Sequence, residues 1–169
     1  MPKKWRPELL LVVVAACTLA LDQITKALVL RYLPYQQPWN PIPALHPIVT
    51  LTHITNTGAA FGLFPGSSAV FMVVSIAIIA AILIYYRYVP AQPGLVKVAL
   101  ALQLGGAMGN LLDRFRHGHV IDFIDFHFWP VFNVADSAVV IGVVILAYYL
   151  LFQADKEPVQ KQRLEPEQS

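Results

Sequence analysis

Four long apolar stretches constrain this chain more than any other feature of it. They run over residues 8–33, 68–86, 95–112 and 134–152. Each comes close to or exceeds the roughly 20 residues that cross about 30 Å of hydrocarbon as a helix. Inside a bilayer every backbone N–H and C=O must be satisfied within the protein, so stretches of this length predict transmembrane helices. Composition agrees, with 57% hydrophobic and only 13% charged residues, where a soluble domain carries roughly a quarter charged. The only sizeable segments between the spans are 34–67 and 113–133. A single integral membrane domain over residues 1–169 is therefore expected, with a charged, disordered tail over 155–169 that contains Pro158 and Pro166.

The net charge of +2 matters less than its distribution. Lys3, Lys4 and Arg6 precede the first span, Arg87 and Lys97 flank the short second connection, and Lys156, Lys161 and Arg163 follow the last span. By the positive-inside rule these regions are cytoplasmic, which puts both termini inside and the two longer loops outside. Arg31, Arg114 and Arg116 fall on the outer side against that rule. The basic tails are short and lack interleaved aromatics, so no nucleic-acid partner is expected. The lone Cys17 excludes an internal disulfide. It reads as a small buried apolar residue, or more sharply as a lipid-modified cysteine after Val14-Ala15-Ala16 in a secretory signal, although the apolar run continues to Leu33.

The first outer loop opens with Pro34, Pro38, Pro41, Pro43 and Pro47, which disfavour helix. Ile48–Thr55 then alternates β-branched and polar residues and predicts a strand. Asn56-Thr57-Gly58 predicts a turn, with 59–64 returning as a second strand before Pro65-Gly66. The expected fold class is an all-α membrane protein, with four transmembrane helices and a small extracytoplasmic β-sheet, over about residues 48–64, on the outer membrane surface. Gly105 and Gly109 in the third span form a small-xxx-small face suited to close helix packing.

Ionisable residues at membrane depth are functional candidates by default. Asp22 and Lys26 share a helix face at i,i+4 near the outer end of span one, about 22 Å along the helix from Pro7. Asn110, Asp113 and Arg114 close span three, and Asp136 opens span four. Asp122 sits among Val120, Ile121, Phe123 and Ile124 in the loop between them. All fall at one level, which suggests a single site open to the outer leaflet rather than a path across the membrane. Two carboxylates in one low-dielectric site share a proton, the basis of aspartic protease chemistry.

Each candidate also has a structural reading. Asn133 and Asp136 have the spacing of a capping box, which is compatible with catalysis. Asp122 could simply pair with Arg114 or Arg116. Asp22–Lys26 and Asp113–Arg114 are expected to neutralise each other, since unpaired charge is costly at this depth. His117, His119, Asp122 and His127 fall within eleven positions but form no zinc-binding motif, so no metal and no cofactor is expected. No serine stands in a nucleophile context.

Five ordered motifs carry a resemblance: Asp22-Gln23-Ile24-Thr25-Lys26, Asn56-Thr57-Gly58-Ala59-Ala60-Phe61, Gly105-Gly106-Ala107-Met108-Gly109-Asn110 with Asp113-Arg114, Gly118-His119-Val120-Ile121-Asp122-Phe123, and Phe132-Asn133-Val134-Ala135-Asp136-Ser137. With these the chain resembles bacterial signal peptidase II, the lipoprotein signal peptidases, over almost its whole length. The resemblance implies a four-span aspartic endopeptidase of the bacterial inner membrane. Such an enzyme removes the signal peptide of diacylglyceryl-modified prolipoproteins before the lipid-bearing cysteine. It also implies membrane lipids as surroundings, the cyclic peptide globomycin as inhibitor, and no metal. Asp122 and Asp136 match the catalytic dyad. Asp22, Lys26, Asn56, Asn110, Asp113, Arg114 and Asn133 match residues that line or brace the site, and Gly106 and Ala135 fall in the same motifs. Asp125 and His127 match no assigned role. Rivals from other classes are a small transporter, which would need polar residues reaching both faces, and a lipid-binding accessory protein whose two carboxylates never meet.

Overall fold

A computed structural model describes residues 7–58, 66–88 and 93–153 of the chain. Four helices are long and apolar enough to cross a membrane: α1 (Pro7–Tyr32), α2 (Ser68–Tyr88), α3 (Gly94–His117) and α4 (Val134–Phe152). Three short strands, β1 (Pro38–Trp39), β2 (Thr50–Asn56) and β3 (Val120–Asp125), form one antiparallel sheet in the order β1-β2-β3. This is the expected class of architecture, four spans with a small sheet at one end. The expected return strand over 59–64 and the tail over 155–169 lie outside the described residues.

Helix α3 is the centre of the bundle and packs against each of the other three. Its small residues make that possible. A Cβ on Gly105 would lie 2.6 Å from the Ala15 carbonyl oxygen and 2.7 Å from Thr18 Cβ of α1. On α1 the buried residues are Leu11, Ala15, Thr18, Asp22, Lys26 and Val29, a single stripe at helical spacing. Cys17 lies off that stripe and is exposed, so it faces lipid rather than the core; the buried alternative fails because the stripe passes it by. Helix α2 buries only Ile82 and is the peripheral element. Leu11, Ala15, Ile82, Val96, Leu100 and Leu104 form the core of the bundle.

Helix α3 runs five residues beyond the expected end at Leu112, to His117. The apolar run stops at Leu112, but the polar residues that follow find partners on neighbouring elements, so the helix persists. Gly118 ends it in a left-handed conformation, φ 77°, with its N–H on the Arg114 carbonyl at 3.0 Å. Asp113 and Arg114 are therefore fixed on a helix.

The sheet joins the two long loops. Pairs Thr50↔Asp125, Ile54↔Asp122 and Asn56↔Val120 set the register of β2 against β3, with an irregularity between Leu51 and Ile54. Ile121 and Phe123 point from β3 toward α1 and cluster with Val29. Strand alternation then turns Asp122 to the opposite face.

Candidate active site

Asn133 caps α4 and connects the two principal carboxylates. Its side-chain Oδ1 accepts the Asp136 N–H at 2.9 Å, while its own N–H donates to Asp136 Oδ2 at 3.2 Å, a reciprocal capping box. Its Nδ2 donates to Asp122 Oδ1 at 2.7 Å and to Asn110 Oδ1 at 3.1 Å. Asn110 in turn donates from Nδ2 to Asp136 Oδ1 at 2.7 Å. One amide thus touches Asp122 with its side chain and Asp136 with its backbone and cap. The capping role and a place in the site coexist. Asp122 is deeply buried, whereas Asp136, Asn110 and Asn56 keep partial exposure, so the pair is open on one side.

Asn56 ends β2 and reaches diagonally across the sheet, donating from Nδ2 to Asp122 Oδ2 at 2.9 Å. Its Oδ1 accepts the Gly58 N–H at 3.0 Å. Its φ is not positive, so it is not a turn residue held in left-handed geometry. Both ends of the amide are engaged within the protein, and Asn56 acts on Asp122.

Behind these residues lies a buried charge cluster. Lys26 Nζ is 2.9 Å from Asp22 Oδ2, 2.7 Å from Asp113 Oδ2 and 3.0 Å from Asn110 Oδ1. Its three N–H donors therefore have three acceptors, which is what makes an ammonium tolerable at 2% exposure. Asp22–Lys26 pair as expected, but Asp113 pairs with Lys26 rather than with Arg114. Each brace carboxylate then holds a backbone N–H. Asp22 Oδ1 accepts from Ala135 at 3.0 Å, and Asp113 Oδ2 accepts from Ile121 at 3.2 Å. Those are the residues immediately before Asp136 and Asp122. A Cβ at Gly109 would collide with Asp22 Oδ2, and one at Gly106 with the Ala135 carbonyl oxygen, so Gly109 makes room for the Asp22 carboxylate of α1 and Gly106 lets α3 approach the start of α4. Ala135 itself is fully buried.

Gln23 belongs to this cluster, although sequence reasoning gave it no role. Its Nε2 donates to Asp22 Oδ2 at 3.1 Å, Asp113 Oδ1 at 3.0 Å and the Gly109 carbonyl at 3.3 Å. Its Oε1 accepts from Arg116 at 3.3 Å. The signal available was an amide next to Asp22 in an otherwise apolar span. Arg114 sits over the Phe71 ring at 5.4 Å and makes long contacts to the Asn110 and Gly58 carbonyls, at 3.4 and 3.5 Å. Its buried Nε has no partner.

Burial raises the Asp122 carboxyl from an ordinary value near 3.8 to about 7, and the Asp136 charge pushes the same way. Hydrogen bonds from Asn56 and Asn133, and the charge of Lys26, oppose that rise. Among the described residues no three His, Cys, Asp or Glu side chains gather to hold a metal ion. His127 bonds Thr50 at 3.3 Å across the sheet, while His117 and His119 face each other at 5.9 Å. The arrangement offers two coupled carboxylates, one opening to solvent, a fixed amide framework and a buried guanidinium N–H. Chemically that suits acid–base activation of water.

The chain matches the family model of signal peptidase (SPase) II over residues 14–152. It is 43% identical over 143 residues to the lipoprotein signal peptidase of Moorella thermoacetica, covering 85% of this chain and 93% of the relative. Against the lipoprotein signal peptidase of Pelotomaculum thermopropionicum it is 43% identical over 154 residues, covering 90% and 99%. A bacterial membrane enzyme solved by the in meso method at 2.3 Å resolution superposes with TM-score 0.79 at 30% identity, over 93% of this chain and 94% of that one. A second, solved at 1.9 Å, gives 0.75 at 31% identity over 85% and 94%.

Proposed function

The chain belongs to the signal peptidase II family, and from that premise we propose that it is an aspartic endopeptidase with Asp122 and Asp136 as its dyad. The family places it among multi-pass bacterial membrane proteases that process lipoproteins. The proposed cleavage falls just before the diacylglyceryl-modified cysteine of a prolipoprotein, at the outer leaflet of the inner membrane. Arg87 and Lys97 at the far end of the bundle support an orientation with the sheet outside. A site at that level lets the substrate's lipid stay in hydrocarbon while the scissile peptide meets water.

The observation that carries this proposal is Asn133, which bonds to Asp122 and Asp136 together. A lipid-binding accessory protein has no use for two such carboxylates. With Asp122 shifted to about 7, the pair holds a shared proton near neutral pH, and it titrates as a unit. The ionised member takes a proton from water as its oxygen attacks the scissile carbonyl carbon. The protonated member gives its proton to the carbonyl oxygen, yielding a neutral gem-diol. Return of a proton to the leaving nitrogen, with loss of one from a hydroxyl, breaks the C–N bond and restores the dyad. No covalent enzyme intermediate is needed.

The other residues bind and position. Asn56 and Asn133 hold Asp122, and Asn110 and Asn133 hold Asp136. Asp22, Lys26, Asp113 and Gln23 fix the backbone before each dyad residue, while Gly106, Gly109 and Ala135 permit the close approach. The Arg114 guanidinium, held near the Asn110 and Gly58 carbonyls, adds positive charge beside Asp136 and Asp122. Globomycin, as a cyclic peptide, would occupy the same cleft. The test is cleavage of a synthetic diacylglyceryl-modified prolipoprotein peptide by the purified protein, with the products weighed by mass spectrometry. Products that end anywhere but before the lipidated cysteine, or no products from folded protein, would overturn the assignment.

A further inference from the structure

Arg114 and Arg116 find partners in the site, but Arg31 does not. It is exposed at the sheet end of α1, and among the described residues it joins neither ion pair. Its guanidinium lies 5.3 Å over the ring of Tyr32. Tyr32 lines an apolar cavity of about 690 Å³ between α1 and the sheet, with Leu28, Val29, Trp39, Leu51 and Phe123. That volume lies within the roughly 300–1,000 Å³ typical of small-ligand sites. Tyr32 and Trp39 are rings suited to the headgroup level.

We infer that this cavity seats an anionic phospholipid, with an acyl chain against Leu28, Val29 and Phe123 and its phosphate on Arg31. Charge complementarity decides the occupant. A membrane-embedded cation with no carboxylate partner attracts the phosphate of a lipid. The diacylglyceryl group of a prolipoprotein is neutral and offers Arg31 nothing. Geometry agrees, because Phe123 and Asp122 are neighbours on β3 and point to opposite faces of the sheet. A lipid attached beside the scissile bond would have to turn around the sheet to enter. A phospholipid in the cavity packs on the back of the strand that carries Asp122. Occupancy is independent of catalysis, so its failure would leave the proposed peptidase activity untouched.

The experiment uses the full chain with Trp5→Phe and Trp129→Phe, leaving Trp39 as the sole tryptophan. It is reconstituted in phosphatidylcholine vesicles containing equal fractions of bromo-acyl phosphatidylglycerol or bromo-acyl phosphatidylcholine. Trp39 lines the cavity and is half exposed, so a bromo-acyl chain seated there adds quenching above the level that the bulk bilayer sets for both lipids. The glycerol lipid should show about fivefold higher apparent affinity, the worth of one basic residue at an anionic headgroup layer. Arg31→Gln should abolish the difference, Arg31→Lys should retain most of it, and Lys97→Gln at the other end should leave it intact. Equal quenching by the two lipids, or a preference that survives Arg31→Gln, overturns the inference. So does loss of quenching when a saturating lipidated substrate peptide is added to the Asp122→Asn form, because the cavity would then be a substrate subsite.

Discussion

Asp22 and Asp113 stand on different helices and share one ammonium, the Nζ of Lys26, at 2.9 and 2.7 Å. Through their other contacts they hold the peptide N–H groups of Ala135 and Ile121, one residue ahead of Asp136 and Asp122. The brace therefore fixes helix α4 and strand β3 against each other, and so sets the spacing of Asp122 and Asp136.

Lys26→Met should be the most damaging change in the brace, because it leaves two buried carboxylates without their cation. Removing one partner of a buried pair costs about 3–5 kcal/mol. Asp22→Ala should cost less, since Lys26 keeps Asp113 and Asn110. Thermal unfolding in detergent measures the order. Wild-type melting of the Lys26→Met protein would mean that the cluster does not hold the fold.

Asn56→Gly should lose turnover with little loss of stability. The amide positions Asp122, and misplacement of a reacting group by about 1 Å costs on the order of 10²-fold in rate. The same bond lowers the Asp122 pKa, so its removal should move the Asp122-dependent limb of the pH–rate profile to higher pH. Full turnover with an unmoved profile would remove Asn56 from the site.

The shifted carboxyl of Asp122 has a signature in stability as well. Between its ordinary value near 3.8 and about 7, the folded protein binds more protons there than the unfolded chain does. Native stability therefore falls as pH rises through that window and levels off above it. Asp122→Asn should remove that slope. Denaturation at several pH values in one detergent gives the comparison, and a slope unchanged by the substitution would place the shift elsewhere.

Much of this was legible in the sequence because membranes make polar residues expensive. The spacing of Asp22 and Lys26 predicted a shared helix face, and the asparagine ahead of Asp136 predicted the cap. Strand β3 was harder. Val120-Ile121-Asp122-Phe123-Ile124 is a short apolar run interrupted by a charge, and its partner β2 lies in another loop, so nothing local announces the pairing. The extension of α3 to His117 also depended on distant partners, as did the choice of Lys26 rather than Arg114 for Asp113. Gln23 carries no role that the sequence alone assigns, because its acceptors Asp113 and Gly109 lie on α3. Cys17 illustrates the reverse case, where residue type suggested burial and the helical stripe decided otherwise.

Activity should survive exhaustive chelation with EDTA, and His117→Ala combined with His119→Ala should remain active. His117 and His119 form a ring pair at the end of α3 and His127 bonds Thr50 on the sheet, apart from the amides that bond Asp122 and Asp136. Loss of turnover with EDTA, restored by added zinc, would contradict this.

The central claim is that Asp122 and Asp136 act together on water. The most direct measurement is the turnover of Asp122→Asn and of Asp136→Asn, each on a diacylglyceryl-modified peptide, with folding checked by circular dichroism and melting. Each variant should stay folded and lose at least about 10²–10⁴-fold in rate, the worth of a positioned acid or base. Near-native turnover by either folded variant would contradict the account.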